Sequence, residues 1–134
     1  MRYLLDTNIC IEIIRKKNKN VLQNITKHAI SAIVVSTITI AELQYGVHKS
    51  TAVQQNQHAL NQFLIPFLFL DFDYAVTPTY GRIRTYLESQ GTPISSLDML
   101  IAAQALTNSL ILVTNNIKEF QRVPNLQIED WTQP

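Results

Sequence analysis

The chain has 134 residues, 46% of them apolar and 16% charged, with a formal net charge of +1. That length suits one domain, expected to span residues 1–134 and to bury roughly two thirds of the surface its unfolded form exposes. The balance excludes a disordered segment and a broadly cationic nucleic-acid coat, and no uninterrupted apolar stretch is long enough to cross a bilayer.

Residues 2–5 read as a short buried strand. Ile9, Ile13 and Ile14 share one helical face and predict a helix over 8–16, and Val21, Leu22 and Ile25 suggest a second, shorter one. Ile33-Val34-Val35 is β-branched and predicts a strand. A helix follows from Thr37 to about Lys49, then another over 53–64, with Gln54, Gln55, Asn56 and Gln57 on its wet side and Pro66 ending it. Phe67 to Leu70 predicts a third strand, and 74–89 a helix stopped by Gly91 and Pro93. A further helix is expected over 97–108, and Leu110 to Val113 is a fourth strand. Strands alternating with helices along the whole chain predict an α/β fold: a parallel sheet with helices on both faces.

Acids and carboxamides recur where these apolar runs end. Asp6 directly follows the first strand, Glu42 lies on the helix after the second, Asp98 opens an Ala-rich helix, and Asn115-Asn116 follows the fourth strand. In an open parallel sheet, ligands bind outside the carboxyl ends of the strands, so these side chains can converge. Converging carboxylates repel one another unless a cation sits between them, and hard divalent cations prefer oxygen ligands. The pattern points to a metal-dependent phosphodiesterase.

Each acid also has a simpler reading as a helix cap. Asp6-Thr7-Asn8 can cap the first helix, while Thr39-Ile40-Ala41-Glu42 and Ser95-Ser96-Leu97-Asp98 fit the capping box. Against this, Glu42 sits inside an apolar run, Ile38 to Leu43, where a charge is costly unless partnered. The basic clusters, Arg15-Lys16-Lys17 with Lys19 and Arg82 with Arg84, bear on phosphates only if they flank the acids.

Rival chemistries lack their residues. His28, His48 and His58 do not have zinc-ligand spacing, and there is no Cys-x-x-Cys, Walker loop or nucleophile elbow. A haloacid-dehalogenase-like phosphatase needs an acid where Asn8 stands, and a receiver domain needs an adjacent acid pair and a late-strand lysine. Cys10 is the single cysteine, so no intramolecular disulfide can form, and Asp6 and Glu12 interrupt what would be the apolar core of a signal peptide. A cytoplasmic, reducing location is expected.

Taken together, Leu5-Asp6-Thr7-Asn8-Ile9, Ala41-Glu42-Leu43 with Tyr45-Gly46, Asp98 with Ile101-Ala102-Ala103, Val113-Thr114-Asn115-Asn116 with Glu119-Phe120, and Glu129-Asp130-Trp131 resemble the PIN-domain ribonucleases, and within them the VapC-type toxins of toxin–antitoxin pairs. The resemblance covers essentially the whole chain. It implies a Rossmann-like α/β/α sandwich whose acidic pocket binds Mg²⁺ or Mn²⁺ and cuts RNA, with tRNA as the leading substrate. It carries over Asp6, Glu42 and Asp98 as catalytic acids, Asp6 and Asp98 among them as metal ligands. Asn116 stands where many relatives have a fourth acid, Glu119 can supply the missing charge, and Asn8 and Thr114 match supporting polar positions. It also implies a cognate antitoxin, a homodimer and a toxin–antitoxin hetero-oligomer. Asn116 leaves one alternative open, a catalytically silent PIN-type module that binds RNA or protein.

Overall fold

A computed structural model describes residues 2–134. Five strands, β1 (Tyr3–Leu5), β2 (Ile33–Ser36), β3 (Leu68–Leu70), β4 (Ile111–Val113) and β5 (Ile128–Glu129), run parallel in the order β3-β2-β1-β4-β5. Tyr3 is level with both Ile33 and Ile111, and Leu5 with Val113, so the carboxyl ends of the three central strands finish along one edge. The chain moves outward from β1 through β2 to β3, then returns to lay β4 on the other side of β1. That reversal creates a topological switch point between β1 and β4, where open α/β sheets place their ligands.

The helices are α1 (Thr7–Arg15), α2 (Lys19–Thr26), α3 (Thr37–Lys49), α4 (Val53–Leu64), α5 (Thr77–Ser89), α6 (Ser96–Thr107) and the single turn α7 (Ile117–Phe120). Successive strand residues face opposite sides of a sheet, and two cores result. Leu4, Val34 and Leu112 pack with Ile83, Leu87, Met99 and Ile101 of α5 and α6 and with Phe120. Leu5, Val35 and Val113 pack on the other face with Ile9, Cys10, Val21, Leu43 and Leu60 of the first four helices. Burying a leucine- or isoleucine-sized side chain contributes about 1.5–3 kcal/mol, so these layers hold the strand ends in place. Ile101 to Ala105 are all buried, because α6 lies under α5 and against the sheet and has no wet face along that stretch.

The predicted elements are present with small shifts. The expected helix over 74–89 opens instead as a 3-10 turn, Tyr74–Val76, before α5, whose first turn holds Pro78. Gly91, at φ 68, ends α5 in the left-handed conformation that a glycine tolerates. β5 was not among the expected strands: only Ile128 and Glu129 pair, too short a run to show a period. The segment beyond β5 is pinned. Trp131 stacks on His28 with ring centroids 4.9 Å apart, and Asn24 and Asn20 on α2 donate to Trp131 O and Thr132 O, each at 2.9 Å. Among the described residues, no helix is long and apolar enough to cross a membrane.

Candidate active site

β1 runs straight into Asp6. Its Oδ1 accepts the Thr7 N–H at 2.7 Å and so caps α1, while its own N–H donates to Val113 O at 2.9 Å, fastening it to the end of β4. The other oxygen, Oδ2, accepts the Thr114 hydroxyl at 2.7 Å, and Thr114 Oγ1 in turn accepts the Asn116 N–H at 3.0 Å. Asp6 is 5% exposed. Burial, helped by the charges of Asp98 and Glu42 and opposed by the bonds from Thr114 and Thr7, pushes its carboxyl up to about 6.

Ser36, the last residue of β2, caps α3 by accepting the Ile38 N–H at 3.0 Å. Thr39 therefore lies inside the helix, and the capping-box reading of Thr39 to Glu42 does not hold. Glu42 Oε1 instead accepts the Thr7 hydroxyl at 2.9 Å, with the Thr39 hydroxyl 3.3 Å from Thr7 Oγ1. Thr7 thus joins the half-buried Glu42 to the segment carrying Asp6. Sequence spacing had not singled out Thr7, although a hydroxyl immediately after a strand-end acid was the available signal. Asn8, one residue on, is exposed, and its side chain makes no hydrogen bond to these carboxylates.

Ser95 caps α6 by accepting the Asp98 N–H at 3.2 Å. Half of the predicted capping box is therefore present, formed through the Asp98 backbone. The Asp98 carboxyl is raised by partial burial and further by the charge of Glu119 on α7, with the Ser95 hydroxyl acting the other way. The four acids accordingly form a series, Glu42, Asp6, Asp98 and Glu119, in which each carboxylate lies in the field of the next. Asn116 takes part through its backbone N–H, and its side chain makes no capping bond.

A second residue outside the sequence reading positions Asp98's helix. The fully buried Gln104 accepts the Ser36 hydroxyl on Oε1 and donates from Nε2 to Leu70 O at 3.2 Å, tying α6 to the ends of β2 and β3. Its signal was a carboxamide within the apolar run Ile101 to Ala105. Buried polar groups need partners, and among the described residues no buried side-chain nitrogen or oxygen lacks one.

The donors at the switch point are carboxylate, hydroxyl and carboxamide oxygens, which fits a hard divalent cation and not a soft one. Cys10 is fully buried in the core, with burial pushing its thiol far up, His28 is stacked on Trp131, and His48 and His58 are exposed on α3 and α4. Among the described residues no three His, Cys, Asp or Glu side chains are gathered on one metal position; like charges without a cation between them keep apart. Beside the acids opens a groove of about 910 Å³ between α1, α3 and α4. Thr7, Asn8, Glu42 and Leu97 line it, whereas Asp6, Asp98 and Glu119 do not, so the groove adjoins the acids without enclosing them.

Known proteins resemble this chain in sequence and fold. The family model for the PIN domain matches residues 3–126. Ribonuclease VapC2 of Rickettsia felis is 46% identical over 132 residues, and the tRNA(fMet)-specific endonuclease VapC of Salmonella typhimurium 37% identical over 131, each alignment covering 98% of both chains. Among solved structures, VapBC2 from Rickettsia felis bound to a promoter DNA fragment superposes with a TM-score of 0.90 at 44% identity, covering 98% of this chain and 99% of that one. DNA-bound VapBC from Salmonella typhimurium gives 0.92 at 37% identity, covering 98% of each. The chain belongs to the PIN-domain family and, within it, to the VapC ribonucleases.

Proposed function

We propose that this protein is the toxin of a toxin–antitoxin pair and hydrolyses a tRNA, with Mg²⁺ as the working ion and Mn²⁺ able to replace it. The observation that carries the reading is Asp6, a buried carboxyl at the β1/β4 switch point that is raised to about 6 and lies in the field of both Glu42 and Asp98. A carboxyl so placed gains from a cation beside it. The name of the Salmonella typhimurium relative supports a tRNA substrate, and the solved VapBC complexes support a cognate antitoxin. A homodimer within a toxin–antitoxin hetero-oligomer is the assembly expected. The retained acids and the ribonuclease names of the relatives speak against a catalytically silent binding module.

Asp6 and Asp98 would hold the divalent cation on which the family's nucleases depend. The chemistry supplied there by a bound ion is activation of water and neutralisation of charge on the scissile phosphate. Thr114 and the Thr7 amide fix the Asp6 carboxylate in one orientation, so little reorganisation is needed on binding. Thr7 occupies Glu42 Oε1 and leaves Oε2 to orient the attacking water and take its proton. In-line attack at phosphorus then expels the 3′ oxygen, which is protonated from solvent, leaving a 5′-phosphate and a 3′-hydroxyl. Water is the nucleophile, so the RNA 2′-hydroxyl is not needed.

The test is cleavage of a tRNA(fMet) transcript by the purified protein with Mg²⁺ and with EDTA, beside Asp6→Asn and Asp98→Asn. Metal-dependent cutting lost in both variants supports the assignment. Cutting at the parental rate by either variant, or cutting that persists in EDTA, sinks it.

A further inference from the structure

One face of α3 leads away from the acids in a single line. Glu42, Tyr45, Gly46 and Lys49 stand at i, i+3, i+4 and i+7, the spacing that aligns positions on one helix face. All four line the groove beside the acids. Tyr45 is 66% exposed, a large aromatic surface left in water one turn beyond a catalytic acid. The Lys49 ammonium lies 5.0 Å from its ring centroid. Neither Lys49 nor Arg15, on the α1 wall of the same groove, pairs with a carboxylate among the described residues.

Gly46 is unexplained by the folded chain itself. A glycine inside a helix is less stable than alanine there. A β-carbon added at Gly46 meets no atom within 4 Å, and its φ is not in the left-handed region. No packing contact or backbone conformation calls for a bare α-carbon at this point.

We infer that this stripe is a nucleotide subsite of the ribonuclease: a base flanking the scissile phosphate stacks on Tyr45, its sugar passes over Gly46, and the next phosphate meets Lys49 and Arg15. The inference rests on the ribonuclease reading above. A substrate whose phosphate sits at Asp6 and Asp98 must continue along a surface contiguous with them, and Glu42 and Thr7 belong both to the acidic network and to the groove wall. An exposed aromatic ring suits a base of any identity, because every base has a π-face, and unpaired cations suit phosphates. The competing occupant, a peptide segment of a protein partner, is separated from RNA by experiment.

Cleavage of the tRNA(fMet) transcript is measured for the parent, Tyr45→Ala, Tyr45→Phe, Gly46→Ala and Lys49→Gln, with Asp6→Asn as the inactive control. Tyr45→Ala should lower kcat/KM roughly five- to a hundred-fold, mainly through KM, and Tyr45→Phe should restore it, since stacking needs the ring and not the hydroxyl. With an abasic nucleotide at the stacked position, parent and Tyr45→Ala should become equal. Gly46→Ala should raise the melting temperature yet lower kcat/KM, and Lys49→Gln should reduce the salt dependence of RNA binding by about one phosphate contact. Binding of the transcript to Asp6→Asn, with and without Tyr45→Ala, reads the subsite even where nothing is cut. If Asp6→Asn abolishes cutting but Tyr45→Ala and Gly46→Ala cut and bind RNA like the parent, the ribonuclease reading stands and the subsite is wrong. If those two variants instead lose only inhibition by the antitoxin, the stripe belongs to the protein partner and the inference is overturned.

Discussion

Thr114 and Asp6, 108 positions apart in sequence, are joined by a 2.7 Å hydrogen bond across the switch point between β1 and β4. The same hydroxyl accepts the Asn116 N–H, so one buried oxygen sets both the orientation of the acid and the start of the turn that carries Glu119. Thr114→Val keeps the shape and removes both bonds. It should cost about 1–3 kcal/mol in urea unfolding, the usual effect of leaving buried polar groups unpaired. Cleavage should also fall, by roughly ten-fold or more, as Asp6 loses its fixed geometry. Thr114→Ser should recover most of both; if Val and Ser behave alike, the hydroxyl has no such role.

The pH dependence of the metal-free protein follows from Asp6. Its folded value, about 6, lies above the ordinary 3.8, so the folded state holds the proton more tightly than the unfolded one. The associated stability is fully present below pH 3.8 and is lost as pH rises through about 6. In EDTA, unfolding free energy should fall between pH 4 and pH 7 by up to about 3 kcal/mol from this group. Asp6→Asn should flatten that slope and be the more stable protein at pH 7. Adding Mg²⁺ should raise the parent's melting temperature more at pH 7 than at pH 5, because binding then needs no proton release. An equal slope in parent and Asp6→Asn would remove Asp6 as the source.

Glu119 carries a charge that the neutral Asn116 lacks. The charge of Glu119 helps to raise the Asp98 carboxyl, whereas Asn116 contributes a backbone N–H. Glu119→Gln should cut activity by orders of magnitude, as Asp6→Asn does, and Asn116→Asp should tighten Mg²⁺ binding measured by calorimetry without RNA. Unchanged metal affinity in Asn116→Asp, together with normal cutting by Glu119→Gln, would leave a site of three carboxylates.

An antitoxin segment that silences such a site should do so with a cation. A guanidinium or ammonium group can pair with Asp6, Glu42 and Asp98 where a metal would otherwise bind. A peptide from the cognate antitoxin should then bind more weakly at high Mg²⁺ than at low. Affinity that ignores the metal would place inhibition elsewhere.

Much of this fold can be read from the chain, because buried parallel strands need unbroken apolar runs and their helices need a 3.6-residue period. Ile33 to Val35 and Leu110 to Val113 meet the first condition plainly; Ile128-Glu129 does not, since two residues carry no period and β5 exists only because Val113 offers it an edge. Asp6 and Asp98 were visible as charges at the junction of strand and helix or in a helix's first turn, Glu42 as a charge inside an apolar helical run, and Glu119 as an acid shortly after the fourth strand. The partners that hold them were less so. Thr7 and Gln104 are ordinary residues in sequence, and their roles depend on which distant atom each meets, Glu42 in one case and Ser36 and Leu70 in the other. Capping signals misled at Thr39 because Ser36, three residues earlier, had already started the helix.

The strand order also sets when the enzyme becomes dangerous to the cell that makes it. Asp6 leaves the ribosome among the first residues, but its neighbours Asp98 and Thr114 and the β5 edge strand come from the last third of the chain. Until β4 inserts beside β1, the switch point has only one wall. Long-range parallel pairing of this kind forms late and slowly, so a nascent or truncated chain carries the first acid without a cutting site. The site around Asp6 is therefore complete only once Asp98 and Thr114, from the last third of the chain, have been placed beside it.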